Sequence, residues 1–356
     1  MAKVMVGMSG GVDSSVAAKV LLEKGYEVTG VTIKMFSSDD ISDTETKTCC
    51  SLSDVEDARA VAYKLGFDHL VFNFKQEFHK YVINNFIESY ISGKTPNPCI
   101  ECNRNIKFDK MLRRAEELGY DYIATGHYAV REYNESTGKY ILKRPKDRSK
   151  DQTYVLYNLT QYQLSKTLFP LADYEKTEVR KMAEESGLVN YRKPDSQDIC
   201  FVPDGKYGEF IREKSGVPVS EGNFIDKDGN ILGTHKGIIY YTIGQRKGLG
   251  IALGKPVFVT RKDSVSNTVT LGSSEDLFTS ELTADNVNFI SGEFPQEPLH
   301  VTAKSRYNQK DEPAVVYPIE DGKVRVVFEK PQRAVTSGQA VVFYDGDIVL
   351  GGGCIE

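Results

Sequence analysis

No stretch of this 356-residue chain approaches the roughly 18 consecutive apolar residues of a membrane span, so a transmembrane helix is excluded. The N-terminus runs from Met1-Ala2-Lys3 into a short apolar strand and then glycines. It lacks the apolar core and small-residue cleavage pattern of a secretory signal, which points to a cytoplasmic protein. Positive charge is not in excess: 45 Lys and Arg face 50 Asp and Glu, a net −5. Taken whole, that balance argues against sequence-blind nucleic-acid binding. Cysteine is scarce. Cys49, Cys50, Cys99, Cys102, Cys200 and Cys354 are too few in a chain this long for a disulfide framework, which turns attention to catalysis or metal binding. No internal repeat or low-complexity tract stands out. What remains, 40% apolar and 27% charged, is ordinary globular composition with length for two to three domains.

The first 200 residues alternate strand and helix. Lys3 to Met8, Tyr26 to Phe36, His69 to Phe74 and Tyr120 to Thr125 read as strands. Between them, Asp13 to Lys24, a helix opened by Ser53 and Glu56 as a capping box, Phe78 to Ile91 and Arg104 to Leu118 have helical apolar spacing. This is an α/β pattern: a parallel sheet with helices on both faces, whose ligands sit at the carboxyl ends of the strands. After about Pro203 glycines multiply and one helix, Tyr207 to Lys214, stands out. From about Leu282 short alternating strands dominate, with Asp321-Gly322 and Asp345-Gly346 as hairpin turns, which predicts a C-terminal antiparallel β-barrel. The expected units are 1–203, 204–273 and 274–356.

Between the first strand and first helix stands Gly7-Met8-Ser9-Gly10-Gly11-Val12-Asp13-Ser14. Consecutive glycines let backbone N–H groups approach a phosphate, and the helix N-terminus behind them adds partial positive charge. No Lys-Ser or Lys-Thr follows, so the loop is not a Walker A motif, and it is not GxGxxG. Ser-Gly-Gly-x-Asp-Ser resembles the PP-loop of the ATP pyrophosphatases, which split ATP between the α and β phosphates. By that resemblance the loop cradles pyrophosphate and Asp13 helps to hold Mg²⁺. Gly248 to Lys255 is read as a structural loop, and Gly351-Gly352-Gly353 as a turn.

Residues 95 to 108 hold Pro96, Pro98, Cys99 and Cys102, with Arg104 and Lys107 following. The prolines predict the start of a helix whose N-terminus carries Cys102, where dipole and cations favour a thiolate. Cys200 lies 98 residues on, in Asp195-Ser196-Gln197-Asp198-Ile199-Cys200. A structural zinc site would want four ligands, and only Cys99 and Cys102 have ligand spacing. Cys49-Cys50 falls in a polar loop, and Cys354 reads as core.

Taken together, the PP-loop, Asn97-Pro98-Cys99 with Cys102-Asn103, Thr125-Gly126-His127-Tyr128, Lys150-Asp151-Gln152 and the Cys200 motif resemble the tRNA-specific 2-thiouridylases. So do Gly244-Gln245-Arg246-Lys247-Gly248 and the closing Gly-Gly-Gly-x-Ile-Glu; the resemblance runs from Val6 to Glu356. It implies a PP-loop domain, a small central domain and a barrel, and conversion of C2=O of the wobble uridine of tRNA to C2=S. Under it, Gly7, Met8, Ser9, Gly10, Gly11, Val12, Asp13, Ser14, Ile33 and Gly126 contact ATP. Cys200 carries sulfur as a persulfide, supplied by a donor such as a cysteine desulfurase or relay protein, and Cys102 is the catalytic thiol facing it. Asn97, Pro98 and Cys99 lie against the target base, while His127, Lys150, Asp151, Gln152, Arg306, Tyr307 and Gln339 contact tRNA. Many members of that family carry Asp where this chain has Cys99. Cys99, Cys102 and Cys200 are therefore also a set that could ligate a [4Fe–4S] cluster with one iron left open. Both routes stay open, as does another PP-loop adenylating ligase.

A tRNA partner requires local positive charge. Arg131 to Lys150 holds seven Lys or Arg against three acidic residues, and Glu101 to Arg114 holds five against two. Both runs flank the motifs and predict a basic funnel at the sheet's carboxyl edge.

Overall fold

The computed structural model describes residues 1–36, 52–195, 198–202 and 204–356. Cys49 and Cys50 lie outside the described residues. β1 (Lys3–Gly7), β2 (Glu27–Lys34), β3 (Asp68–Asn73) and β4 (Tyr122–Thr125) form a parallel sheet with the short strand Thr167–Leu168, in the order β3-β2-β1-β4-edge. Alternation along β1 divides the core. Val4 and Val6 face helix α1 (Val12–Glu23) and the helix Lys176–Glu185. Met5 faces Phe86, Ile106 and Met111 on the opposite side. Both faces are covered, as a parallel sheet requires. Helix α2 (Leu52–Leu65) already contains Ser53 in its first turn, so Ser53 is not the expected N-cap.

Two of the expected helices are wound differently from expectation. The first runs Lys75–Phe78, π-helical His79–Ile83, then Asn84–Ile91. The second begins at Pro98, with Asn97 as N-cap accepting from the Cys99 N–H at 3.1 Å. It continues as a π-helical stretch over Cys102–Lys110 and ends in Met111–Glu117. Proline at the first helical position sets the start there. The terminal turn therefore carries Cys99, and Cys102 lies one turn in.

β5 (Val130–Asn134) and β6 (Lys139–Lys143) form a hairpin within the run read only as basic. Numbering the edge strand Thr167–Leu168 as β7, the middle unit is a four-stranded sheet of β8 (Gly222–Ile225), β9 (Ile231–His235), β10 (Phe258–Asp263) and β11 (Thr268–Gly272) beside the helix Tyr207–Ser215. The barrel comprises β12 (Phe278–Phe289), β13 (Leu299–Lys304), β14 (Glu312–Pro318), β15 (Val324–Arg333), β16 (Ala340–Asp345) and β17 (Ile348–Ile355). Their order β12-β15-β14-β13-β16-β17 closes by a β12–β17 pairing. Asp321 and Gly322 turn with φ of 59° and 68°, the left-handed geometry an Asp-Gly hairpin accommodates.

Gly351-Gly352-Gly353 is not a turn: it lies inside β17. A Cβ on Gly352 would stand 2.5 Å from the Val341 carbonyl oxygen and 2.8 Å from the Tyr157 ring, so the glycines permit close strand and ring packing. Beyond the barrel, β17 also pairs with β6, through Ile348 with Lys143 and Val349 with Leu142. The N-terminal unit thus donates a hairpin to the barrel's sheet. Tyr154 donates to the Ala340 carbonyl at 2.8 Å and Gln339 to the Thr95 carbonyl at 2.7 Å, stitching the same seam. Among the described residues, no helix is long and apolar enough to cross a membrane.

Candidate active site

Strand order places the site. From β1 the chain proceeds to β2 on one side, while β4 lies on the other, so a crevice opens between the loops leaving β1 and β4. The first loop is Met8 to Gly11 and the second is Gly126-His127. They touch: a Cβ on Gly126 would stand 2.7 Å from the Ser14 nitrogen and 2.8 Å from the Asp13 carbonyl carbon. Gly10 turns at φ 71° against the Asp54 backbone. The Ser14 and Ser15 hydroxyls donate to the Gly11 carbonyl at 3.1 and 3.0 Å, and Asn190 donates to the Gly10 carbonyl and Ser15 Oγ at 2.9 Å each. The Ser9 N–H donates to Ser14 Oγ at 3.2 Å. Gly11 is extended and offers no side chain to cap α1, so the helix terminus and its partial positive charge face the crevice. Gly7, Met8 and Val12 are covered, and Ile33, at the carboxyl end of β2, is buried beside the same crevice.

Asp13 is gripped by two side chains, one of which, Lys176, lies outside every motif. Lys176 Nζ lies 2.6 and 2.7 Å from its two carboxylate oxygens, and the Tyr128 hydroxyl donates to it at 2.9 Å. Burial and the neighbouring Asp13 charge push the Tyr128 phenol far above its ordinary value, so it stays a donor. Lys176 also reaches Asp195 at 2.8 Å, where Lys150 and Arg180 converge at the same distance. Burial opposes ionisation of Asp195, but hydrogen bonds from Lys150 and Lys176 outweigh it and hold the carboxyl down to about 2.

Cys102 is 8% exposed, its sulfur 3.8 Å from that of Met35, inside the apolar cluster that includes Phe86 and Phe201. Cys200 is half-buried and packs against that same cluster. Cys99 is exposed. It lies within electrostatic reach of both Tyr207 in the middle unit and Tyr307 in the barrel. Among the described residues, no three His, Cys, Asp or Glu side chains converge as a metal site. Of the three cysteines of the sequence motifs, Cys99 is at the surface and Cys102 in the apolar core. Cys354 is half-buried, and burial pushes its thiol up.

The residues expected against tRNA are largely occupied within the fold. His127 is buried between Phe108 and Phe169 and bonded to Thr125 at 2.8 Å; burial first, then Lys107, hold it well below its ordinary value and neutral. Gln152 accepts from the Tyr128 N–H, and Asp151 from Thr153. Arg306 donates to the carbonyls of Ile243 and Ala334 and to Thr336, clamping the middle unit to the barrel. Tyr307 is 38% exposed, and Asn97 and Pro98 open the helix at Cys99. The basic run is a seam and not an open funnel. Arg131 donates to Leu164 and Ser165 carbonyls, and Lys139, Lys143, Arg144, Lys146, Arg148 and Lys150 each pair with a carboxylate. Charge counting shows the cations but not their distant partners, such as Asp311 and Asp347. The exposed pairs among them contribute little to stability.

Comparison with known proteins supplies the family context. The tRNA methyl transferase HUP domain matches residues 2–204, the tRNA methyl transferase PRC-barrel domain residues 209–273, and the Aminomethyltransferase beta-barrel domain residues 279–355. The tRNA-specific 2-thiouridylase MnmA of Acetivibrio thermocellus is 57% identical over 358 residues, covering 99% of each chain. The MnmA proteins of Clostridioides difficile and Clostridium acetobutylicum are 55% and 54% identical over 354 residues, covering 99% of this chain and 98% and 99% of theirs.

Proposed function

This chain belongs to the tRNA-specific 2-thiouridylase family and carries out ATP-dependent formation of 2-thiouridine in tRNA, and we propose how its own residues divide that work. The observations that support the proposal are the glycine loop at the β1/β4 crevice and the contact of both Cys102 and Cys200 with the same apolar cluster. Backbone N–H groups of Gly10 to Ser14 hold the phosphates of ATP, with Gly7 to Ser9 shaping the loop, Gly126 closing the crevice and Ile33 against adenine. A Mg²⁺ ion, which would neutralise charge on the phosphates, would be held by Asp13 in place of the Lys176 ammonium now on both its oxygens.

The wobble uridine, displaced from its stack, rests against Asn97, Pro98 and Cys99. Its O2 attacks the α-phosphorus; the O2–P bond forms, pyrophosphate leaves, and C2 gains an adenylyl leaving group. The terminal sulfur of a Cys200 persulfide attacks C2 and AMP departs. Cys102 thiolate then attacks the Cys200 sulfur, forming a Cys102–Cys200 disulfide and releasing C2=S. An external thiol resets the disulfide, and a persulfide donor protein reloads Cys200. The units 1–203, 204–273 and 274–356 act as cradle, spacer and barrel, with Tyr307 and Gln339 at the tRNA side, in the cytoplasm where the tRNA is found.

Incubation with ATP, a persulfide donor and unmodified tRNA tests this, with nucleosides read by mass spectrometry. The expected products are 2-thiouridine at the wobble position, AMP and pyrophosphate. Cys102→Ser and Cys200→Ser each abolish product while leaving ATP binding. Formation of ADP, or full activity in either serine variant, overturns the scheme.

A further inference from the structure

Gly244-Gln245-Arg246-Lys247-Gly248 has no part in the chemistry described above. In the fold it borders a cavity of about 320 Å³ between the middle unit and the N-terminal unit. That size lies at the lower end of the range for small-ligand sites. Gln245 and Gly248 line it, with Tyr90 from the helix Asn84–Ile91, Tyr207 from the helix Tyr207–Ser215, and Lys236 and Tyr240. A Cβ on Gly208 would stand 2.2 Å from the Tyr240 ring, so that helix holds the ring in place. Lys236 Nζ lies 4.0 Å from the centre of the same ring, and among the described residues no carboxylate pairs with Lys236, Arg246 or Lys247. Behind Tyr90, 5.6 Å from its ring, the Lys262 ammonium is buried without a hydrogen-bond partner among the described residues. Against these cations stand Glu209 on the wall, Asp204, paired with Lys206 at 3.5 Å, and Asp198 near Tyr207. Positive charge is in excess, and the cavity favours an anion that also carries a flat ring.

We propose that this cavity takes the nucleotide next to the wobble uridine in the tRNA chain, with its base against Tyr207 and its phosphate on Lys236. The inference rests on the reading of Cys99 as the place of the target base. Tyr207 is within electrostatic reach of Cys99, so the cavity adjoins that place. A uridine displaced from its stack leaves its neighbour without a stacking partner, and an aromatic wall supplies one. An exposed cation–π contact is weaker than a charge-assisted bond to phosphate, so Lys236 leaves the Tyr240 ring for the anion. Gln245, the amide on the wall, is engaged within its own loop: it accepts from the Thr242 N–H and donates to the Lys247 carbonyl, each at 3.0 Å. It is therefore not offered to a base edge. Stacking without edge readout tolerates any base, so one site serves tRNAs that differ at that position.

The test measures binding of the full chain to an anticodon stem-loop RNA, intact or with the base removed at each neighbour of the wobble position in turn. In the wild type, removal at one neighbour weakens binding about fivefold or more, the lower range for one stacked base. Tyr207→Leu weakens binding of the intact RNA to the same extent and shows no further loss with that abasic RNA, while Tyr207→Phe binds as the wild type does. Lys236→Met lowers the slope of log affinity against log salt by about one. Calorimetric titration with ATP checks that each variant is folded. No loss with either abasic RNA, or an equal loss in wild type and Tyr207→Leu, overturns the proposal, as does an unchanged salt slope in Lys236→Met. Should Tyr207→Leu not fold, the abasic RNAs and Lys236→Met decide. Titration with free UMP and AMP separates the sources: Tyr207-dependent binding of either, with no loss for the abasic RNAs, marks a free-nucleotide site and overturns the tRNA reading. A 4-thiouridine at the wobble position should photocrosslink to the peptide carrying Cys99; crosslinking elsewhere overturns instead the reading of where the target base lies.

Discussion

Replacing Gly126 by Ala should weaken ATP binding more than it weakens the fold. The added methyl would stand 2.7 Å from the Ser14 nitrogen and 2.8 Å from the Asp13 carbonyl carbon. Unstrained contacts of carbon lie near 3.5 Å, so the two segments must part by about 0.7 Å. Both neighbours are backbone at the start of α1, and no side-chain rotation relieves the contact. Overpacking of this kind costs about 1–3 kcal/mol. If the strain is relieved in the nucleotide-free protein by opening the crevice, ATP must close it again, and the cost falls on binding. A tenfold loss of affinity corresponds to about 1.4 kcal/mol, so the Kd for ATP should rise roughly 5- to 150-fold. If the strain remains in the folded state, it appears in Tm at about 2–4 °C per kcal/mol. Calorimetric titration with ATP and a thermal melt on the same sample separate the two contributions. Unchanged affinity together with an unchanged Tm would refute the close contact of the two loops on which the reasoning rests.

Three further outcomes are expected. The Lys262 ammonium is buried over the Tyr90 ring without a hydrogen-bond partner among the described residues, and burial lowers it to about 8. Because the unfolded chain holds that proton up to about 10.5, wild-type stability should rise with pH between 8 and 10.5; Lys262→Met should flatten that rise and be more stable at pH 7 by up to about 3 kcal/mol in urea melts. Asp195, held near 2 against an ordinary 3.8, contributes stability present above pH 3.8 and lost as pH falls toward 2. Asp195→Asn should remove about 1 kcal/mol of that slope after allowance for solvent screening, read from melts across the acid range. Tyr154→Phe leaves the Ala340 carbonyl without its 2.8 Å donor and should cost about 1 kcal/mol, seen as a lower midpoint in denaturant.

What could be read from the sequence follows physical range. Alternation of β-branched strands and amphipathic helices is local, and it predicts the parallel sheet and the loop after β1 correctly. The turn at Asp321-Gly322 is legible for the same reason. Lys176 was not legible, because its partner Asp13 lies 163 positions away and no periodicity links them. Cys102 lies one turn deeper than its motif suggests because Pro98 starts the helix. Gly351 to Gly353 deceived in another way: glycine usually punctuates, but here it makes room for Tyr157 and for the neighbouring strands.

The hairpin lent by the N-terminal unit to the barrel also sets a timetable for the growing chain. β6 leaves the ribosome with one edge unpaired, and its partner β17 is made about two hundred residues later, a wait of roughly 10–40 s at ordinary elongation rates. During that interval an open strand edge is exposed to every other nascent chain. Arg131, Glu132, Lys139 and Lys143 stud the hairpin with charge of both signs. Charged edges resist pairing with the wrong partner, so these side chains protect the hairpin before the barrel exists to cover it.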